Sequence, residues 1–219
     1  MALNKLKFNS LNVTPTAGKT VGFNSNANGL EATLSGGSMV FIKKLTASSS
    51  ATLSFVDGSS DVVLDNTYKE YMFIFKDIHT SADAAFSFNL SADTGSNYNV
   101  TKTTTIFRAR HREDGSNGAL TYDPGGDDIA QGTGFQNIAT VMGTDNDQSA
   151  AGFLHLFNPS STTFVKHFLA TMNTYRSSDY SAEEFTAGYG NTTSSIDAVQ
   201  FKMSTGNIDA GTITLYGIN

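Results

Sequence analysis

The chain has 219 residues, no cysteine and a formal net charge of −6 at pH 7. The missing cysteines exclude a disulfide framework, a zinc–thiolate site and a thiol nucleophile. The acidic balance argues against a nucleic-acid-binding protein, which needs a basic surplus. Only 16% of the residues are charged, and the polar residues are mainly Ser, Thr, Asn and Gly, which favour turns and polar strand faces over helix interiors.

The first residues alternate charged and apolar side chains and lack the continuous apolar stretch of a secretion signal. The longest apolar runs, such as residues 71–75, have the length of a strand and are too short for a transmembrane helix. We therefore expect a protein that is made in a reducing cytoplasm and does not insert into a membrane.

Residues 1–37 are predicted to form an extended N-terminal arm, rich in Asn, Thr, Ser and Gly. A segment this polar buries too little apolar area to offset its ordering entropy, so we expect a partner surface to order it. A weak repeat of residues 6–10 in residues 21–25 is either a coincidence of composition or a pair of equivalent anchors. The predicted docking residues of the arm are Phe8, Leu11, Val13, Phe23 and Leu30.

From residue 38 onwards the pattern indicates strands. Alternation and β-branched or aromatic residues predict strands over residues 39–46, 51–55, 68–78, 84–90 and 100–109. Tyr71, Phe73 and Phe75 are expected to share a buried face of the third of these strands. In the next strand, Phe86 and Phe88 are expected to point inward, and Ser87 and Asn89 outward.

Residues 110–134 interrupt this rhythm and are predicted to form a long loop, which in a compact domain is usually functional or mobile. Strands are predicted to resume over residues 135–142, 152–157, 164–175, 196–203 and 212–216. Residues 181–185 are expected to form one helical turn at most, and residues 188–191 a turn. About ten short strands with polar turns predict an all-β fold: a two-sheet, jelly-roll-like β-sandwich over residues 38–219.

Two loops carry the residues that we expect to contact a ligand or receptor. The first loop spans residues 110–134; it begins with the charged residues 110–114 and contains Tyr122. The second loop spans residues 143–150. The candidate contact residues are Arg110, His111, Arg112, Tyr122, Asp145 and Asp147.

The acidic loops are weak candidates for a hard cation. Asp145 and Asp147 alternate with other oxygen-bearing residues as in calcium loops, and Asp127 and Asp128 form a second acidic pair. The first loop lacks the central glycine and the bidentate glutamate of an EF-hand. We therefore expect solvated loops, with no metal and no cofactor.

Two histidines are predicted to face each other across a hairpin. Counting outward from the turn at residues 160–161 places His155 and His167 opposite one another. Two histidines alone make a poor metal site, so a structural pair is expected rather than a zinc or nickel site.

The sequence carries no pattern that selects an enzyme. It has no Gly-x-Ser-x-Gly elbow and no phosphate-binding glycine loop. The adjacent Glu183 and Glu184 would point to opposite faces of a strand, so they would not flank one glycosidic bond. We predict a non-enzymatic protein.

Residues 7–15 and 23–31 resemble the N-terminal segment of virion structural proteins of marine bacteriophages, including cyanophages and pelagiphages. Residues 65–71 and 157–164 are similar to segments in the body of these proteins. The resemblance implies a building block of the virion, assembled in the host cytoplasm with other capsid or tail proteins.

Two structural roles remain open at this point. A tail-fibre or receptor-binding protein would dock through its arm, form a homo-oligomer such as a trimer and bind a host-surface glycan. A capsid decoration protein would instead lay its arm across the shell and stabilise it. A carbohydrate-active enzyme is a third hypothesis, which the absence of a catalytic pattern disfavours.

Overall fold

The structure is a computed structural model that describes residues 20–23, 28–33, 38–122 and 127–218. Two compact units make up the chain, residues 1–40 and 41–219. The described residues contain strands and no helix, so the all-β prediction is confirmed. Accordingly, this part of the chain has no helix that could cross a membrane.

In the first unit, β1 (Thr20–Phe23) pairs with β2 (Leu30–Thr33) in an antiparallel hairpin. Phe23 lies opposite Leu30, and their side chains are 75% and 40% exposed. These two predicted docking residues are therefore available at one end of the hairpin. Phe8, Leu11 and Val13 lie outside the described residues.

The remaining strands belong to the second unit, except that β3 begins at the end of the first. They are β3 (Met39–Thr46), β4 (Leu53–Val56), β5 (Glu70–Thr80), β6 (Ala84–Ser91), β7 (Lys102–Arg112), β8 (Gly118–Tyr122), β9 (Gln136–Met142), β10 (Ala150–Phe157), β11 (Lys166–Arg176), β12 (Tyr180–Gly190), β13 (Ala198–Met203) and β14 (Ile208–Ile218).

Three local predictions were wrong. The proposed loop over residues 110–134 starts with the end of β7 and contains β8, which pairs with β7 as a hairpin. Arg110, His111 and Arg112 are thus strand residues, since β12 and β8 extend the ladder on both sides of β7. Residues 181–185, expected to form a helical turn at most, lie in β12, which pairs with β11 and β7 along its whole length. The turn predicted over residues 188–191 is also absent, because residues 188–190 are the last three of β12.

The twelve strands of the second unit form one sheet with two branches. The long branch has the order β8-β7-β12-β11-β10-β5-β14-β3, and the short branch has the order β9-β6-β13-β4. A single pair, Arg176 with Met142, joins β11 of the long branch to β9 of the short one. The pairings whose register is known are all antiparallel.

Aromatic rings from both branches meet in the core. Phe73 and Phe75 of β5 contact Phe201 of β13 at centroid distances of 5.3 and 5.2 Å. Phe88 of β6 contacts Phe168 of β11 at 5.0 Å. The predicted inward side of β5 is therefore confirmed, with Tyr71, Phe73 and Phe75 buried.

Both faces of β6 are covered, which corrects the prediction that Ser87 and Asn89 point to solvent. Both side chains are buried. The Asn89 Nδ2 group donates hydrogen bonds to the backbone carbonyls of Tyr98 and Thr133. The connecting segments thus cover the face of β6 that the alternation assigned to water.

Candidate binding face

The outward side of β7, β10, β11 and β12 carries large apolar and aromatic side chains. Alternation along these strands sends even-numbered residues inward and odd-numbered residues outward. We name the outward surface the aromatic face. Its large members are Phe107, Phe153, His155, Phe157, His167, Leu169, Phe185 and Tyr189.

Strand register brings these side chains together in rows. Phe107 lies opposite Phe185, and the two rings stack at 4.8 Å with an interplanar angle of 14°. In another row His167 lies opposite Tyr189, with ring centroids 6.0 Å apart. Such ring pairs add roughly 0.5–1.5 kcal/mol beyond their buried area, so the face is held in shape before any partner arrives.

A shallow pocket of about 420 Å³ opens in the aromatic face. Small residues make its floor, because Ala187 and Gly188 of β12 lie beside the threonines at residues 103–105. Its walls come from Phe157, His167 and Leu169 together with Tyr189. A pocket of this size and lining accepts one bulky apolar group.

Charge is almost absent from the aromatic face. Glu183 is the only Asp, Glu, Lys or Arg at an outward position of these four strands, which the structure describes completely. Leu169 is 52% exposed and Phe107 is 41% exposed. Antiparallel sheets normally turn a polar side to water, whereas aromatic enrichment with charge depletion is typical of the centre of a protein interface.

His155 and His167 do not form the predicted cross-strand pair. Across the β10–β11 ladder His155 lies opposite Leu169, and across the next ladder His167 lies opposite Tyr189. The hairpin register is shifted by two residues from the count made from the turn. His155 instead places Nδ1 2.6 Å from Oε1 of Glu70 on β5, which orients the imidazole beside the face.

The predicted receptor residues are dispersed. Arg110 and Arg112 point inward, while His111 lies outward on the same strand. The Tyr122 hydroxyl donates to Asp128 Oδ2 at 2.8 Å, so the end of β8 is joined to the segment between β8 and β9. They do not form a single loop cluster with the residues near 145.

The acidic candidates are also separated. Asp127 Oδ1 accepts a hydrogen bond from Asn137 at 2.7 Å, and the backbone carbonyl of Asp145 lies 3.3 Å from His79 Nε2. Asp147 is exposed in the loop between β9 and β10. No group of three His, Asp or Glu residues able to hold a metal occurs among the residues that the structure describes.

Sequence reasoning missed two buried lysines. Lys102 Nζ donates to Asn89 Oδ1 at 2.5 Å and to the Val100 carbonyl at 2.8 Å, and burial lowers the pKa of this ammonium to about 8. Lys166 Nζ donates to three backbone carbonyls, those of Ser161, Phe164 and Thr192. Both ammonium groups hold connecting segments in place, and a lysine at a strand end gives no sequence signal of this role.

The arrangement is suited to binding. The aromatic face offers apolar area, ring faces and a pocket, and its one acid–imidazole contact joins His155 to Glu70. Comparisons of this chain with protein-family models, curated proteins and solved structures found no match.

Proposed function

We propose that this chain is a non-enzymatic structural protein on the exterior of a bacteriophage particle, and that it assembles with further copies of itself through the aromatic face. The observation that carries the proposal is the nearly uncharged, ring-rich surface of β7, β10, β11 and β12. Burying such a surface against a partner is favourable, because apolar area is then removed from water.

A second copy of this chain is the occupant that fits the face. Four strands spaced about 4.8 Å apart, with up to eleven residues at about 3.4 Å each, present roughly 700 Å². A standard interface buries about 800 Å² on each partner. Because the surface lacks formal charge apart from Glu183, two identical copies meet there without the repulsion that like charges would cause.

The place on a virion exterior is supported by the resemblance of residues 7–15, 23–31, 65–71 and 157–164 to marine phage structural proteins. In this proposal the arm docks onto other capsid or tail proteins, and a tail-fibre or receptor-binding role follows. The two branches form the layers of a jelly-roll-like sandwich, which is supported by ring contacts such as Phe73 with Phe201.

Self-assembly is tested with Leu169→Glu, which places a charge at the centre of the aromatic face. We expect wild type to sediment as a symmetric oligomer at micromolar concentration and the variant as a monomer with an unchanged circular dichroism spectrum. The matched control is Val141→Glu on β9, where the native side chain is 42% exposed but lies outside the face. A monomeric wild type, or an oligomeric Leu169→Glu variant, contradicts self-assembly through this face.

The virion location is tested by quantitative mass spectrometry of purified particles. We expect the protein in numbers that are a multiple of the oligomer size. A low copy number indicates a tail fibre, and a number near that of the capsid subunits indicates a decoration protein. If the particles do not contain the protein, the location is wrong, whatever the sedimentation result.

A further inference from the structure

Four arginines lie close together on the inward side of the long branch. In one row of the ladders Tyr180 of β12 lies between Arg112 of β7 and Arg176 of β11. Arg110 lies opposite Ala182 in the next row, and Arg108 follows it two residues back along β7. We name Arg108, Arg110, Arg112 and Arg176 the arginine cluster.

Three of these guanidinium groups surround one aromatic ring. The Cζ atoms of Arg110, Arg112 and Arg176 lie 5.1, 5.9 and 6.0 Å from the centroid of Tyr180. A cation–π contact contributes about 0.5–2 kcal/mol. One ring therefore offsets only part of the cost of holding three cations so near each other.

Two of the arginines have a carboxylate within ion-pair distance. Arg108 Nη1 lies 3.9 Å from Glu184 Oε1, and Arg112 Nη1 lies 3.8 Å from Asp114 Oδ2. Among the residues that the structure describes, no carboxylate lies within ion-pair distance of Arg110 or Arg176. Within the described part of the chain, Arg110 and Arg176 thus have no direct ion pair, and Glu184 acts on Arg176 only from beyond ion-pair distance.

Glu184 is in addition occupied by other donors. Its Oε1 atom accepts hydrogen bonds from the backbone N–H and the hydroxyl of Thr140, and its Oε2 atom accepts one from Thr174. Burial raises the pKa of this carboxyl. Glu184 therefore interacts with Arg176 only through its charge at longer range, because its oxygens already accept hydrogen bonds from Thr140 and Thr174.

Within the cluster, Arg176 has the most buried donor atoms without a hydrogen-bond partner in the described part of the chain. This residue is only 7% exposed. Its Nε and Nη1 atoms have no hydrogen-bond partner among the described residues. Removing an ion from water without a partner costs several kcal/mol. A planar guanidinium with free donors binds the oxygens of a carboxylate, phosphate or sulfate in a fork.

We propose that the arginine cluster, whose Arg110, Arg112 and Arg176 are grouped around the Tyr180 ring, binds an oxyanion, a phosphate or sulfate group. The group enters from the Arg112 side, where the arginine side chain is 40% exposed. No hydrogen bond holds Nε or Nη1 of Arg176, so that guanidinium turns toward the anion without breaking one. The inference is independent of self-assembly, because these side chains point away from the aromatic face.

The test is isothermal titration calorimetry of the full chain with inorganic phosphate and with inorganic sulfate, at constant ionic strength maintained with chloride. We expect saturable binding of one anion per chain. Arg110→Gln and Arg112→Gln each weaken it at least tenfold. Lys76→Gln is the control, because it removes the same charge from an exposed side chain outside the cluster.

Circular dichroism verifies that each variant is folded, and having two cluster variants keeps the test decisive if one of them is unstable. The proposal is overturned if wild type gives no saturable heat with either anion. It is equally overturned if Lys76→Gln weakens binding as much as the cluster variants do, since the effect is then one of net charge alone.

Discussion

Lys102 shows how a single side chain couples the interior to pH. Its ammonium group is buried and donates to an amide oxygen and a backbone carbonyl, neither of which carries a charge. Desolvation disfavours the charged form of such a group. The pKa of Lys102 therefore falls to about 8, below the ordinary value of 10.5.

This shift predicts a rise in stability with pH. Between pH 8 and 10.5 the unfolded chain still binds the proton that folded Lys102 has released, so the free energy of unfolding increases across this window. Below pH 8 folded Lys102 is protonated, so the full cost of burying its charge lowers the free energy of unfolding. We expect wild type to gain about 3 kcal/mol relative to Lys102→Met between these pH values, measured by urea unfolding at each pH.

Lys76→Met is the control for this prediction, because Lys76 is an exposed lysine whose removal leaves the buried ammonium intact. Its unfolding curve should shift with pH in parallel with that of wild type. Parallel curves for wild type and Lys102→Met would show instead that the buried lysine keeps an ordinary pKa.

At the scale of elements, β14 is the second strand from one end of the long branch, and it pairs with β5 on one side and with β3 on the other. Gly217 of β14 lies against the buried ring of Tyr68, and a Cβ atom there would stand 2.3 Å from Tyr68 Cδ2. The ring in turn contacts Tyr71 of β5 edge-on at 5.8 Å. Because Gly217 has no side chain, the Tyr68 ring can pack directly on the backbone of β14.

Gly217→Ala should therefore destabilise the fold by about 1–3 kcal/mol, the usual cost of overpacking a tight site. Thermal and urea unfolding measure this loss. Gly134→Ala is the matched control, since nothing lies within 4 Å of a Cβ atom at that residue. Equal stability of the two variants would mean that Tyr68 moves aside freely.

Most strands could be predicted from the sequence because their alternation is strong. The prediction for residues 39–46 has the bounds of β3, and that for residues 84–90 misses only the last residue of β6. β12 was missed because its adjacent glutamates, glycines and alanines give a weak strand signal. Its partners β11 and β7, which flank it along its whole length, stabilise it as a strand.

The same strand explains why neither site could be located from the sequence. The aromatic face and the arginine cluster both depend on how β12 aligns β7 with β11. Phe107 and Phe185 are far apart in sequence, and only the register stacks them. Arg110 and Arg112 were expected in a long loop that contacts a ligand or receptor, whereas the ladder turns them inward toward Tyr180.

At the scale of the whole second unit, the two branches of the sheet are linked by backbone pairing at one point and by packing of aromatic side chains. A single residue pair joins them by backbone hydrogen bonding. Side-chain packing is the stronger link, and Phe201 is its centre, with ring contacts to Phe55, Phe73, Phe75, Phe86 and Phe88.

Phe201→Ala is expected to lower the free energy of unfolding by about 3–5 kcal/mol, because it removes a buried ring and leaves a cavity between the branches. Chemical denaturation gives the value. Phe164→Ala removes the same group from a side chain that is 69% exposed and should change stability by less than about 0.5 kcal/mol. A similar loss for both variants would contradict the central place of Phe201.

The position of β14 has a consequence for how the protein is made. Tyr216 pairs with Met72, and Ile218 pairs with Glu70, so the ribosome must synthesise most of the chain between the two halves of this ladder. Until then β5 lacks one neighbour and its aromatic side chains remain accessible to other nascent chains. Strand pairings of such long sequence separation form slowly, so we expect the chain to be most prone to association with other nascent chains between the translation of β5 and that of β14.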